Sequence, residues 1–195
     1  MASNIYCVVL AAGESRRYGR TKLLEAYRGE PLLRHALKAG QHACPNRVCL
    51  VTGNDKDAIE NAAGGLADIV VHNPAFKTGI SSSIRTGVNA CIEQADAVLI
   101  VLADQPLVTA GHLSSLIETW RSETSKIVVS AYCETMGPPV VFARRYFEEI
   151  AEISGDSGAK SVLQKHGASV LSVRCEPAAV DIDTPADLEN LSTQD

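Results

Sequence analysis

The sequence predicts a three-layer α/β/α fold around a mostly parallel mixed sheet, on three observations. Short apolar runs of strand length, at residues 5–10, 47–52, 68–72, 97–103 and 126–132, alternate with segments whose apolar residues recur at helical spacing. The runs at 5–10 and 97–103 are hydrophobic on both faces, as strands covered by helices on both sides must be. The glycine-rich and acidic segments follow directly after those two runs, and open α/β sheets bind ligands at the carboxyl ends of their strands. A chain of 195 residues with no linker, repeat or low-complexity stretch is expected to form a single domain over 1–195.

In chain order, the first strand ends in Ala11-Ala12-Gly13, small residues that let the backbone turn sharply and approach a ligand. A helix is predicted from Pro31, suited to a first helical position, to about Ala43. Cys44-Pro45-Asn46 ends it before the second strand. Gly53-Asn54-Asp55 turns into a short helix that stops near Gly64-Gly65, and the third strand follows. After a loop over 73–79, Ile80, Ile84, Val88 and Cys91 mark one face of a helix. Its opening hydroxyls, Ser81, Ser82 and Ser83, either cap that helix or hydrogen-bond a ligand. Thr109 caps the helix that carries Leu113, Leu116, Ile117 and Trp120. The strand at 126–132 and the apolar Val140-Val141-Phe142 are predicted to form an antiparallel excursion at a sheet edge, where Pro138 and Pro139 are tolerated. A helix over 144–153, a second glycine-rich loop, a short helix over 161–165 and a strand over 169–173 follow. The closing helix has Thr184 as N-cap, Pro185 as first residue and Asp187 as the acidic capping partner.

Composition narrows the function. Hydrophobic residues make up 46% and charged residues 21%, ordinary for a folded globular chain. The net charge of −5 argues against a general nucleic-acid binder, and no apolar run has the length of a membrane helix. Six cysteines without C-x-x-C spacing, and no signal peptide, point to reduced thiols in the cytoplasm and against a zinc site.

The chemistry gathers in three segments. Behind the first strand, Arg16 and Arg17 between Gly13 and Gly19, then Arg20 and Lys22 just after, load the turn with positive charge. Such a turn suits a polyphosphate, its amides and cations facing the anion; the plainer reading is a tight turn with solvated arginines. It matches neither the Walker loop nor the dinucleotide fingerprint, since Ser15 stands where the latter needs its second glycine. Asp104 follows the most apolar strand directly. A carboxylate at that border needs a cation or hydrogen-bond donors beside it, which a metal or its own loop's amides could supply. Asp181 and Asp183 flank Ile182 before the closing helix, so both carboxylates share a face if the segment is extended.

Together these residues resemble a known family. Leu10-Ala11-Ala12-Gly13-x-Ser15-x-Arg17-x-Gly19-x-x-Lys22 is similar to the signature loop of the nucleotidyltransferases with a Rossmann-like fold. Ala103-Asp104-Gln105-Pro106, Gly155-Asp156-x-Gly158-Ala159-Lys160 and Asp181-Ile182-Asp183-Thr184-Pro185 resemble the MobA-like branch, in particular the molybdenum cofactor cytidylyltransferases. The resemblance implies a Mg²⁺-dependent transfer of CMP from CTP to the terminal phosphate of a molybdopterin-type acceptor, whose product passes to a recipient molybdoenzyme. It implies that Leu10, Ala11, Ala12, Gly13, Ser15, Arg16 and Gly19 wrap the nucleotide, that Arg17 and Lys22 hold its phosphates, and that Ser83 lies near the base. Asp104 and Asp183 would hold Mg²⁺, and Gly137, Pro138, Gly155, Asp156, Gly158 and Lys160 would face the acceptor. Lys160 departs from the arginine more usual in the family; it keeps the charge without the planar fork. The guanylyl enzymes usually have glycine at the place of Ala12, so its methyl group favours a pyrimidine. GTP, or a sugar or alcohol phosphate as acceptor, is the alternative. A carrier that binds nucleotide and pterin without transfer is the second. The chemistry needs no activated side-chain nucleophile, and His35, His42, His72, His112 and His166 are read as structural or surface residues.

Overall fold

A computed structural model describes residues 3–193. The chain runs β1 (Ile5–Ala11), β2 (Ala26–Tyr27), β3 (Glu30–Pro31), α1 (Leu32–Ala43), β4 (Val48–Thr52), α2 (Lys56–Ala63), β5 (Ile69–His72) and α3 (Ile80–Cys91). It continues through β6 (Ala97–Leu102), α4 (Ala110–Ser122), β7 (Ile127–Tyr132), β8 (Thr135–Ala143), α5 (Phe147–Glu152), α6 (Lys160–Lys165), β9 (Val170–Arg174) and α7 (Pro185–Ser192). The main sheet has seven strands in the order β5-β4-β1-β6-β8-β7-β9. All run in one direction except β8, which is antiparallel to both of its neighbours. Helices α1 and α4 pack together on one face, and α3 and α5 pack on the other. The strands β1 and β4 are buried along their whole length, which is why their sequences show no polar alternation.

The order places a switch point beside β1. The chain first builds outward from β1 through β4 to β5, then returns through α3 to lay β6 on the opposite side of β1. Leu10 is in register with Leu102, so the loops leaving β1 and β6 emerge side by side. In open α/β sheets a ligand crevice forms at such a point.

Two expectations need correction, and the segment around Ile182 takes a form that the sequence left open. β8 is not an edge strand: it lies between β6 and β7, and β9 forms that edge of the sheet. Its prolines are tolerated for another reason. β6 pairs only with residues 140–143, and the β7 ladder shifts register between Val129 and Ser130, so Pro138 and Pro139 stand where no ladder amide is required. Pro31 lies just outside α1, in a two-stranded hairpin (Ala26 opposite Pro31) that the sequence did not suggest. The segment around Ile182 is not a strand; it is held by its Ile182 amide donating to the Asp104 carbonyl at 3.0 Å.

A small second core forms beneath the opening loop. Tyr18, Tyr27, Leu32, Ile182, Leu188 and Leu191 pack together, joining the loop, the hairpin and α7. Full burial of a side chain such as Ile182 is worth about 1.5–3 kcal/mol. That cluster brings the C-terminal segment, and with it Asp183, up against the end of β6. The expected capping box at α7 is present: Thr184 Oγ1 accepts from the Asp187 amide, and Asp187 Oδ2 accepts from the Thr184 amide at 2.7 Å. The same Asp187 oxygen takes the Asp183 amide at 3.0 Å, so the cap also fixes the backbone of Asp183.

Candidate active site

A cleft of about 510 Å³ opens at the carboxyl ends of β1 and β6. Its floor is Leu10, Ala11, Ala12 and Gly13; Asp104 and Asp183 stand at one side, and Ile80 and Ser83, from the start of α3, at another. Ser15, Arg16, Arg17 and Lys22 complete the wall contributed by the opening loop. Gly19 is not part of the wall. It carries φ +81° and donates its amide to the Ser15 carbonyl at 3.1 Å, closing the loop on itself.

Lys22 is the centre of the charge arrangement. Its Nζ lies 2.6 Å from Asp104 Oδ2 and 3.2 Å from Asp183 Oδ1, with only 12% of the side chain exposed. Burial alone would lower its pKa, but the Asp104 and Asp183 carboxylates outweigh that and raise it above the ordinary lysine value. Arg17 reaches the other oxygen of Asp183 at 2.8 Å. Asp104 and Asp183, widely separated in sequence, thus share one ammonium. Arg16 lines the cleft, but its guanidinium is turned to Glu14 at 2.7 Å, and Arg20 pairs with Glu25 outside the wall. Beside the acidic pair, Asp181 has its carboxyl pushed up to about 6 by burial and by the neighbouring Asp104 and Asp183 charges.

The serines at the start of α3 do not cap it. Ser82 Oγ donates to the Gly79 carbonyl at 2.8 Å, while Ser82 and Ser83 both accept from Asn73 Nδ2, at 2.8 and 3.0 Å. Asn73 is buried and fixes the Ser83 hydroxyl at the cleft wall. Ser81, in the first turn of α3, is buried and does not line the cleft.

The residues expected to face the acceptor divide. Gly137, Pro138, Asp156, Gly158 and Lys160 line a small, almost wholly apolar pocket of about 140 Å³ that shares Leu10, Ile80, Leu102 and Asp156 with the main cleft. Gly155 lines neither cavity. Its backbone presses on Gly79, where an added Cβ would lie 2.4 Å from the Gly155 carbonyl carbon and oxygen. Gly79 has φ +106°, so both its conformation and this approach require glycine. The loop before α3 and the glycine-rich loop at 155–160, far apart in sequence, meet at that contact.

Sequence reasoning missed Phe76, Lys77 and Gly53. Phe76 and Lys77 line the cleft from the loop before α3, with Lys77 Nζ 5.8 Å from the Phe76 ring centroid. A Cβ on Gly53 would meet the Ala12 carbonyl oxygen at 2.6 Å and the Ala12 and Phe76 Cβ atoms at 2.8 Å. Ala12 and Phe76 therefore both stand against Gly53, which only a glycine permits. The Asn73-Pro74 turn before a short aromatic-basic segment was the available signal. Among the described residues no histidine lines the cleft. His35 contacts the Tyr27 carbonyl, His112 contacts Ser130 Oγ and His166 contacts Glu149. Among the described residues all six cysteines are free, five of them buried, no cluster of three or more His, Cys, Asp or Glu could hold a metal, and no helix is long and apolar enough to cross a membrane.

A switch-point cleft with a glycine turn, clustered cations and paired carboxylates defines a nucleotide-handling α/β protein. The chain belongs to the MobA-like NTP transferase domain family, whose model matches residues 7–170. Over nearly its whole length it is similar to the purine catabolism protein PucB of Bacillus subtilis (strain 168), with 28% identity over 198 residues, 93% of each chain. The crystal structure of Rv0371c from Mycobacterium tuberculosis H37Rv superposes with a TM-score of 0.83 at 30% identity over 99% of both chains. A structure of Rv0371C in complex with manganese superposes with a TM-score of 0.79 at 28% identity, over 99% of this chain and 100% of that one. The bifunctional protein GlmU of Rhodopseudomonas palustris (strain TIE-1) is 32% identical over 131 residues, 66% of this chain but only 29% of GlmU.

Proposed function

We propose that the protein transfers CMP from CTP to the terminal phosphate of a molybdopterin-type acceptor, releasing pyrophosphate, with a divalent cation held by Asp104 and Asp183. The observation that carries this reading is the convergence of those two carboxylates on Lys22 Nζ, at 2.6 and 3.2 Å, in a cleft floored by the opening glycine turn. The donors are all hard carboxylate oxygens. They fit Mg²⁺, which takes one or two carboxylates together with substrate phosphates, and equally the manganese held by a relative.

Charge supports the same need. The cleft is lined by four cations (Arg16, Arg17, Lys22, Lys77) and four carboxylates (Glu14, Asp104, Asp156, Asp183). A bare triphosphate gains little from a balanced wall and is repelled by the acidic pair, so the nucleotide must arrive with a divalent ion. When bound, that ion neutralises the α-phosphate and orients it.

The protein's own groups then do the rest. An oxygen of the acceptor phosphate, already anionic at neutral pH, attacks the α-phosphorus, and the bond from that phosphorus to the bridging oxygen breaks as pyrophosphate leaves. No side-chain nucleophile is required, and catalysis reduces to alignment and charge stabilisation. Lys22 and Arg17 stabilise the negative charge that builds on the leaving group. The opening turn, lining the cleft through Ala12, Gly13 and Ser15, wraps the nucleotide, and the Ser83 hydroxyl, fixed by Asn73, meets the base. The apolar pocket behind Asp156 receives the flat body of the acceptor, with Lys160 at its rim.

Cytosine is favoured over guanine by Ala12, which lines the cleft with a methyl group where glycine would leave more room. The test is pyrophosphate release with CTP, GTP and ATP, with and without molybdopterin cofactor, in the presence of Mg²⁺. Release with CTP that depends on the acceptor is expected. Release only with GTP, or only with a sugar or alcohol phosphate, would reassign the substrates. Tight CTP-Mg binding without release would make the protein a carrier.

A further inference from the structure

We infer that the turn Gly53-Asn54-Asp55 is a two-point clamp on the opening loop, and that Asp55 is a positioning residue for Lys22; the inference rests on the function proposed above. The loop from Ala12 to Lys22 leaves β1 and has no regular structure of its own before Lys22. Its two ends are gripped by the same short turn between β4 and α2. At the first end, Gly53 sits against Ala12 so closely that no side chain fits, and the Asn54 amide faces the Ala12 carbonyl at 3.4 Å. At the far end, Thr21 Oγ1 donates to Asp55 Oδ2, and Asn54 Nδ2 donates to the same oxygen at 2.8 Å. Thr21 is the residue directly before Lys22.

The conformation of Asp55 points to this role rather than to helix capping. Asp55 stands at the N-cap position of α2, where an aspartate normally accepts from an amide of its own first turn. Here it makes no such bond, and it holds φ 49°, ψ 38°, a left-handed conformation uncommon for a residue with a side chain. Its carboxylate is turned away from α2 and towards Thr21. Inside the loop, Ser15, also left-handed at φ 51°, accepts from the Lys22 amide at 3.3 Å. The backbone of Lys22 is thereby held by Ser15 and, through Thr21, by Asp55, while its ammonium meets the carboxylates. A long lysine side chain is flexible, and fixing its backbone limits how far the ammonium can stray from the reacting phosphates.

Three variants separate this role from simple stability. Asp55→Gly removes the carboxylate while suiting the left-handed backbone, and glycine at an N-cap costs only a few tenths of a kcal/mol. Thr21→Val removes the hydroxyl at nearly constant shape. Asp55→Asn keeps an acceptor oxygen and tolerates the conformation. In the pyrophosphate-release assay, Asp55→Gly and Thr21→Val are each expected to lower kcat about tenfold, the worth of one well-placed hydrogen bond, with KM for the nucleotide changed less than about threefold. The double variant should be no slower than the slower single, and Asp55→Asn should stay near wild type. Amide hydrogen exchange over residues 12–22 should quicken in Asp55→Gly and Thr21→Val but not in Asp55→Asn. Unchanged exchange would overturn the clamp whether or not the protein transfers a nucleotide. Faster exchange with wild-type kcat, or rate losses that multiply in the double variant, would overturn its service to Lys22. A wild-type protein that releases no pyrophosphate would refute the proposed function, leaving the exchange result to judge the clamp alone.

Discussion

Replacing Lys22 with alanine should impair the reaction and at the same time improve metal binding. In the wild type the ammonium lies 2.6 Å from Asp104 Oδ2 and 3.2 Å from Asp183 Oδ1, where a divalent ion would compete with it for the same oxygens. Without it, Asp104 loses its ion-pair partner and Asp183 retains Arg17. Breaking a fully buried pair costs about 3–5 kcal/mol and an exposed one about 0–1. The carboxylates here are 24% and 32% exposed, so a loss of about 2 kcal/mol is appropriate. For a chain of this size that lowers Tm by about 4–8 °C. Mn²⁺ alone should restore more of Tm in Lys22→Ala than it adds to the wild type, and should bind about tenfold tighter in a calorimetric titration. Turnover in the pyrophosphate-release assay should fall by about 10²–10³. Equal Mn²⁺ affinity in both proteins would refute the shared-oxygen reasoning, and unchanged turnover would make Lys22 a bystander.

Other perturbations have distinct signatures. Asp104→Asn should reduce transfer by about 10³ or more with an unchanged circular dichroism spectrum, because it removes one of only two carboxylates on the proposed ion; near-normal turnover would remove the metal role. Gly79→Ala places a Cβ 2.4 Å from the Gly155 carbonyl at φ +106°, and should lower Tm by about 4 °C or more; a Tm within 1–2 °C of wild type would mean the contact is not maintained. Asp181, with its carboxyl raised to about 6, stabilises the fold when protonated and loses that contribution as pH rises through about 6. Asp181→Asn should therefore melt higher than wild type at pH 7.5, with the difference shrinking towards zero below pH 4. A difference that persists at low pH would locate the effect elsewhere.

The parts of the site that announce themselves in sequence do so for a physical reason. Asp104 was legible because a charge set directly after seven apolar residues is costly without a partner, and the structure supplies that partner in Lys22. The cationic loop was legible from the density of arginines between two glycines, and the capping box of α7 from Thr184, Pro185 and Asp187. What could not be read depends on tertiary proximity. Gly53 touches Ala12 through a contact between loops of two different strands, and no local pattern marks it. The hairpin at Ala26–Pro31 consists of two-residue strands, too short to show a period of two. β8 reads as an edge strand because of its prolines; a register shift in its partner allows it to sit inside the sheet. Phe76 and Lys77 carry only the weak signal of an aromatic-basic pair after an Asn-Pro turn, and their place at the cleft follows from the fold. Arg16 shows a further limit: its charge was legible and it lines the cleft, but its pairing with Glu14, two residues away, was not.

The most direct measurement is an anomalous-scattering map from a crystal soaked with Mn²⁺ and CTP. A manganese peak bridged by Asp104 and Asp183, beside a triphosphate lying along residues 10–17, is the expected result. A peak bound by neither aspartate, or a nucleotide seated outside that cleft, would contradict it.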